Sequence, residues 1–112
     1  MPKKKKETDV FVGSGNVFAD LGLKDADELL LKANLAREIS RAIRALKLTQ
    51  TAAATALGID QPKISRIERG DFYGISAEQL MHFLTVLGRD VSIRVRARKR
   101  KGRGKLTVEA TA

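Results

Sequence analysis

A chain of 112 residues bounds the answer to one domain with a small core. It contains no cysteine and one histidine, His82, which excludes disulfide staples, thiolate metal sites and a zinc site built from this chain's own imidazoles. Its net charge of +9 points toward a polyanionic partner.

The excess charge lies at the two ends. Lys3, Lys4, Lys5 and Lys6 open the chain, and a basic run extends from Arg94 to Lys105, whereas acids and bases balance between Asp20 and Asp90. Basic tails favour nucleic acid, and the plain alternative is a solvated, solubilising tail. No apolar run approaches the roughly 20 residues of a transmembrane helix. No apolar stretch follows Lys3–Lys6 as a secretory signal would require. A cytoplasmic location without membrane contact is expected.

Residues 1–15 read as a flexible basic arm, with Gly13-Ser14-Gly15 and few large apolar groups. Val10-Phe11-Val12 is the exception and could form a strand. Val17, Phe18, Leu21 and Leu23 follow, an apolar set expected to tuck against the core. A first long helix is predicted from Asp25 to Lys47, with Asp25 as N-cap and Glu28 completing a box-like pattern. Its inner face is Leu35, Ala36, Ile39, Ala42, Ile43 and Leu46, and Arg37, Arg41 and Arg44 take the other face. Leu29-Leu30-Leu31 is broader than one stripe needs and could meet a partner.

Thr49 caps a second, short helix that ends at Gly58. Asp60 caps a third, with Pro62 in its first turn, where the missing N–H costs little, and Gly70 ends it. Ser76 starts a fourth, with Leu80, Phe83, Leu84 and Leu87 inward, and Gly88 stops it. Val91, Ile93 and Val95 then alternate with Ser92, Arg94 and Arg96, the period of a half-buried strand. A lone strand in a helical domain needs a partner for its edges: Val10–Val12, a second copy, or another protein. Residues 97–112 read as a disordered basic tail.

Two short helices joined by a tight turn must cross closely. Ala54 supplies the small residue at the crossing, Gly58 tolerates positive φ in the turn, and Ile64 followed by Ile67 anchors the second helix. The spacing Ala54–Gly58–Ile64 is that of a helix-turn-helix.

These residues resemble the phage-repressor-like, xenobiotic-response-element (XRE) family of bacterial regulators. The matching stretches are Leu48-Thr49-Gln50, Ala54, Leu57-Gly58-Ile59, the run from Gln61 to Gly70, and the end of the fourth helix from Leu80 to Gly88. The wider frame, N-V-F-A-D-L-G-L from Asn16 and L-G-R-D-V-S-I-R-V from Leu87, is similar to antitoxins of the HigA type. The resemblance implies an all-α fold, a lambda-repressor-like bundle of four to five helices with a C-terminal β-strand, over residues 16–96. It also implies a sequence-specific transcriptional repressor that binds double-stranded operator DNA as a homodimer. The HigA likeness adds neutralisation of a RelE/HigB-like ribonuclease toxin, the alternative being a stand-alone phage-type regulator.

The resemblance further implies the contacts. The third helix would enter the major groove, with Gln61 suited to adenine and Arg66 to guanine. Ser65 could reach a base or a phosphate, and Lys63 a base or the backbone. Gln50 lies where the family grips a phosphate, at a helix N-terminus that favours anions. Arg69 would add a backbone contact. Pro62 departs from relatives that place a polar reader there. Glu68 reads as a structural ion-pair partner for an arginine of the first helix, and His82 as a surface residue of the fourth. An RNA-binding or non-specific module driven by the tails is a third reading. Nothing supports an enzyme or a cofactor: there is no phosphate-cradling glycine loop and no set-apart carboxylate pair.

Overall fold

The computed structural model describes residues 23–110, and among them the regular elements are four helices: α1 (Leu23–Ala45), α2 (Gln50–Leu57), α3 (Gln61–Arg69) and α4 (Ala77–Val86). The helical class and the order of elements match the expectation. The basic N-terminal arm, Val10–Val12 and the apolar set Val17, Phe18 and Leu21 lie outside the described residues.

The core gathers one stripe from each helix. Leu35, Ala36, Ile39, Ala42 and Ile43 come from α1, Ala53 and Ala54 from α2, Ile64 and Ile67 from α3, and Leu80, Phe83 and Leu84 from α4. Phe72 and Ile75 plug the loop between α3 and α4, and Leu87 closes the end of α4. Principal contacts run between α1 and α4 and between α2 and α3, with α1 also meeting α3. No polar or charged residue is buried among the described residues, so the core asks for no internal hydrogen-bond network.

Caps fix the three shorter helices. Thr49, Asp60 and Ser76 are extended N-cap residues, and their side chains accept from the backbone N–H of Ala52, Lys63 and Gln79 at 3.0, 2.9 and 3.1 Å. The first helix differs from its predicted bounds at both ends. It already runs from Leu23, so Asp25 lies inside it rather than capping it, and Glu28 instead pairs with Lys32 at 3.3 Å. It stops at Ala45, because Lys47 turns left-handed at φ 58° and Leu48 N–H closes the end on the Ile43 carbonyl at 3.1 Å. Leu46 thereby leaves the inner stripe and is half exposed.

The predicted C-terminal β-strand is not formed among the described residues. Residues 89–98 join no ladder, because the alternating pattern of Val91, Ile93 and Val95 supplies a face but no neighbouring strand. Val91 packs partly against the core, while Ile93 and Val95 stand in solvent. Farther on, Val108 also rests against the core, and Arg103 Nη1 lies 2.5 Å from Asp27 Oδ2 on α1. No helix among the described residues is long and apolar enough to cross a membrane.

Candidate nucleic-acid interface

The pairing of α2 and α3 begins with the turn between them. Gly58 adopts a left-handed conformation at φ 71°, and Ile59 N–H donates to the Ala54 carbonyl at 3.0 Å. A side chain would strain that conformation; glycine adopts it readily. Ala54 is buried at the crossing, and Ile64 and Ile67, one turn apart, anchor the inner side of α3. Gly70 then ends α3 at φ 84°, with Asp71 N–H on the Arg66 carbonyl at 2.9 Å.

Helical periodicity fixes the rest of α3. Directly opposite Ile64 and Ile67 lie Pro62 and Arg69, with the half-buried Ser65 and Arg66 equally to either side. Gln61 and Glu68, two turns apart, fall on the flank that meets the start of α2. There the polar side chains form a relay. Gln61 Nε2 donates to Gln50 Oε1 at 2.5 Å, and Gln50 Nε2 donates to Glu68 Oε1 at 2.5 Å. Glu68 is a pure acceptor, so it fixes which end of the Gln50 amide faces it; the remaining Gln50 oxygen then dictates the orientation of Gln61. The expected ion pair between Glu68 and an arginine of the first helix is replaced by this bond. Arg41 of α1 pairs with Glu38 at 3.1 Å instead, and Arg37 and Arg44 are exposed.

The other expected site residues separate into smaller groups. Arg69 Nη1 donates to Ser65 Oγ at 2.6 Å, joining two side chains of the outer face. Arg66 turns toward the loop after α3: its Nε donates to Asp71 Oδ2 at 3.2 Å, and its Nη2 donates to the Tyr73 carbonyl. Asp71 Oδ1 also accepts from Tyr73 N–H at 3.3 Å, so Arg66, Asp71 and Tyr73 form one braced turn. Lys63 is half-buried on the remaining flank, apart from the relay. Thus Gln50 and Gln61 are brought together, as are Ser65 and Arg69, while Arg66 and Lys63 stand alone among the six.

Sequence reasoning missed Asp71 and Tyr73. The Tyr73 side chain is 87% exposed, a large aromatic on the surface next to the end of α3. The signal was an aromatic inside a polar turn that directly follows the helix-ending glycine. His82 is exposed on α4, as expected.

The electrostatics of the face are simple. Neither α2 nor α3 has an acidic residue in its first turn; α2 is capped by the neutral Thr49, whereas the Asp60 carboxylate caps α3 and offsets the positive charge of its end. An end like that of α2 attracts anions. Arg66 and Arg69 supply positive charge in the last turn of α3.

A family model described as a helix-turn-helix domain matches residues 17–96, which includes all four helices. A solved structure assigned to the XRE family of transcriptional regulators is similar with a TM-score of 0.73 and 38% sequence identity, covering 78% of this chain and 99% of that one. No curated protein matches this chain. The close crossing of α2 and α3, the adjoining starts of the two helices and these likenesses agree: the chain belongs to the helix-turn-helix domain family, among the XRE-family transcriptional regulators.

Proposed function

We propose that this protein is a sequence-specific repressor that binds operator DNA as a homodimer and acts as the antitoxin of a toxin–antitoxin pair. The observation that carries the DNA-binding reading is the relay Gln61–Gln50–Glu68 where the starts of α2 and α3 adjoin. In the complex α3 lies in the major groove with its N-terminal residues on base edges. Gln50 grips a phosphate at the N-terminus of α2, where the helix end adds its own attraction. The same amide holds Gln61 in one orientation, leaving the Gln61 oxygen and one of its hydrogens for the two groups that adenine offers.

Arg66 reads guanine with its two terminal nitrogens after releasing the Tyr73 carbonyl, while Asp71 continues to hold Nε. Ser65 contacts a base or phosphate from the side of the outer face nearer Gln61, and Lys63 and Arg69 bind backbone. Residues 16–96 form the specific module, and the N-terminal arm and residues 97–112 add sequence-independent attraction for the polyanion. One such module buries little DNA, so two copies on half-sites about one helical turn apart, roughly 34 Å, are needed for tight binding.

The antitoxin role rests on the HigA-like frame before and after the motif and on the apolar start of α1, where Leu30 is half exposed. A RelE/HigB-like toxin would cover that surface. The alternative is a stand-alone phage-type regulator. Co-purification with the product of an adjacent gene, read together with a footprint on the upstream DNA, separates the two. A protected operator with a bound small ribonuclease supports the full reading. A protected operator without it leaves the stand-alone regulator, and no protection at all refutes both.

A further inference from the structure

The chain beyond α4 pairs a strong local pattern with no visible use. Gly88 and Arg89 N–H groups donate to the Thr85 and Leu84 carbonyls at 3.0 and 2.9 Å, so the segment leaves the helix in a defined direction. Val91 stays half-buried at the edge of the core. Ile93 and Val95, which share a face when the chain is extended, are 76% and 90% exposed. Residues 90–98 form no ladder with any described residue. β-Branched side chains standing in solvent beside open backbone groups are a template for strand addition.

We infer that residues 90–96 pair with the same residues of a second copy, as a two-stranded antiparallel ladder centred on Ile93, and that this ladder is the dimer seam. The inference rests on the homodimer reading and specifies its interface. The register follows from the residues. Centred on Ile93, the pairing sets Ile93 opposite itself, Val91 opposite Val95, and Asp90 opposite Arg96, each unlike pair occurring twice by the two-fold. The apolar face becomes continuous, and the polar face joins Asp90 with Arg96 and Ser92 with Arg94, complementary rather than repulsive.

Other registers lose this match. A centre at Arg94 sets two arginines directly opposite one another, and like charges there destabilise. A centre at Ser92 sets Val95 against Arg89. A half-step centre turns the apolar face of one strand to the polar side of the other. The Arg94–Glu109 contact, at 3.7 Å between two exposed side chains, leaves Ile93 and Val95 uncovered.

The chain has no cysteine, so single thiols can report the register directly. Opposed residues in an antiparallel pair lie about 4.5–5.5 Å apart at Cα, within the roughly 4.4–6.8 Å range of a disulfide. Oxidised Ile93→Cys protein should run mainly as a covalent dimer. Ser92→Cys and Arg94→Cys should each remain mostly unlinked alone but cross-link when mixed. Ile93→Asp should raise the dimer dissociation constant by more than about tenfold, because it sets two carboxylates opposite one another.

Two outcomes would overturn the seam. If Ile93→Cys fails to link while sedimentation still finds a dimer, the homodimer reading survives and its interface lies elsewhere. If Phe11→Cys with Ile93→Cys gives an intramolecular bond and no linked dimer, the N-terminal segment of the same chain is the occupant. A monomer in sedimentation, free and on DNA, removes the homodimer reading itself.

Discussion

Gln61 and Gln50, the first residues of α3 and α2, are joined by a hydrogen bond in which Gln61 Nε2 donates to Gln50 Oε1 at 2.5 Å. Glu68, two turns along α3, completes the arrangement by accepting from Gln50 at 2.5 Å. In the proposed complex the Gln61 amide is thus oriented from behind by residues that need not touch a base. Gln50→Ala should weaken specific DNA binding by about 1–3 kcal/mol, from the lost phosphate grip and the freed Gln61. Glu68→Gln, which keeps an acceptor for Gln50, should retain most of the affinity. Titrations of both variants on specific and random duplexes test this. A Gln50→Ala variant with unchanged preference would remove the relay from the mechanism.

Arg66 braces the loop after α3, and its proposed contact to guanine separates from that bracing by measurement. Replacing it with Ala should cost about 1–3 kcal/mol of specific binding and relax preference at one base position. It should also lower Tm by several degrees, because a charge-assisted bond to Asp71 and one to the Tyr73 carbonyl are lost, worth about 1 kcal/mol for an accessible pair. Asp71→Asn should reproduce part of the Tm loss with a smaller effect on preference. Equal weakening on every sequence would instead make Arg66 a phosphate contact.

The close approach of α2 and α3 depends on Ala54, buried where the helices cross. Ala54→Leu adds volume to a packed site and should destabilise by roughly 1–3 kcal/mol. In a domain of this size each kcal/mol lowers Tm by about 4–8 °C. Thermal unfolding followed by circular dichroism reads the loss, and an unchanged Tm would mean that the crossing has room to spare.

Lys47 holds a left-handed conformation at φ 58° where α1 ends, the position that glycine usually fills. Lys47→Gly should stabilise by about 0.5–1 kcal/mol, since relief of the left-handed strain exceeds the extra freedom given to the unfolded chain. Lys47→Val, with a branched Cβ in the same conformation, should destabilise. Chemical denaturation midpoints of the two variants should move in opposite directions.

What could be read in advance was local. Thr49, Asp60 and Ser76 cap helices through bonds to residues three positions on, so their roles follow from sequence alone. The inner stripe of α1 followed from its period, except at Leu46, where the left-handed Lys47 ends the helix without a glycine to signal it. The strand failed for a different reason. Its alternation lies in residues 91–96, but a ladder exists only with a neighbour, which the alternation does not supply. The candidate site divides in the same way. The positions of Gln50 and Gln61 at two helix starts were legible, whereas the bonds that join them through Glu68 depend on how α2 crosses α3. Arg66 was legible as a basic residue of the outer helix, but its turn toward Asp71 and Tyr73 is set by the loop that follows Gly70.

Selection of bound duplexes from a random pool, carried out in parallel with the unaltered chain and with Gln61→Ala, tests the central claim most directly. The account predicts an inverted repeat with half-site centres about one helical turn apart, roughly 34 Å. It further predicts that Gln61→Ala loses an adenine preference at one position of each half-site and keeps the rest. A pool that enriches no sequence, or an unchanged motif with Gln61→Ala, would contradict it.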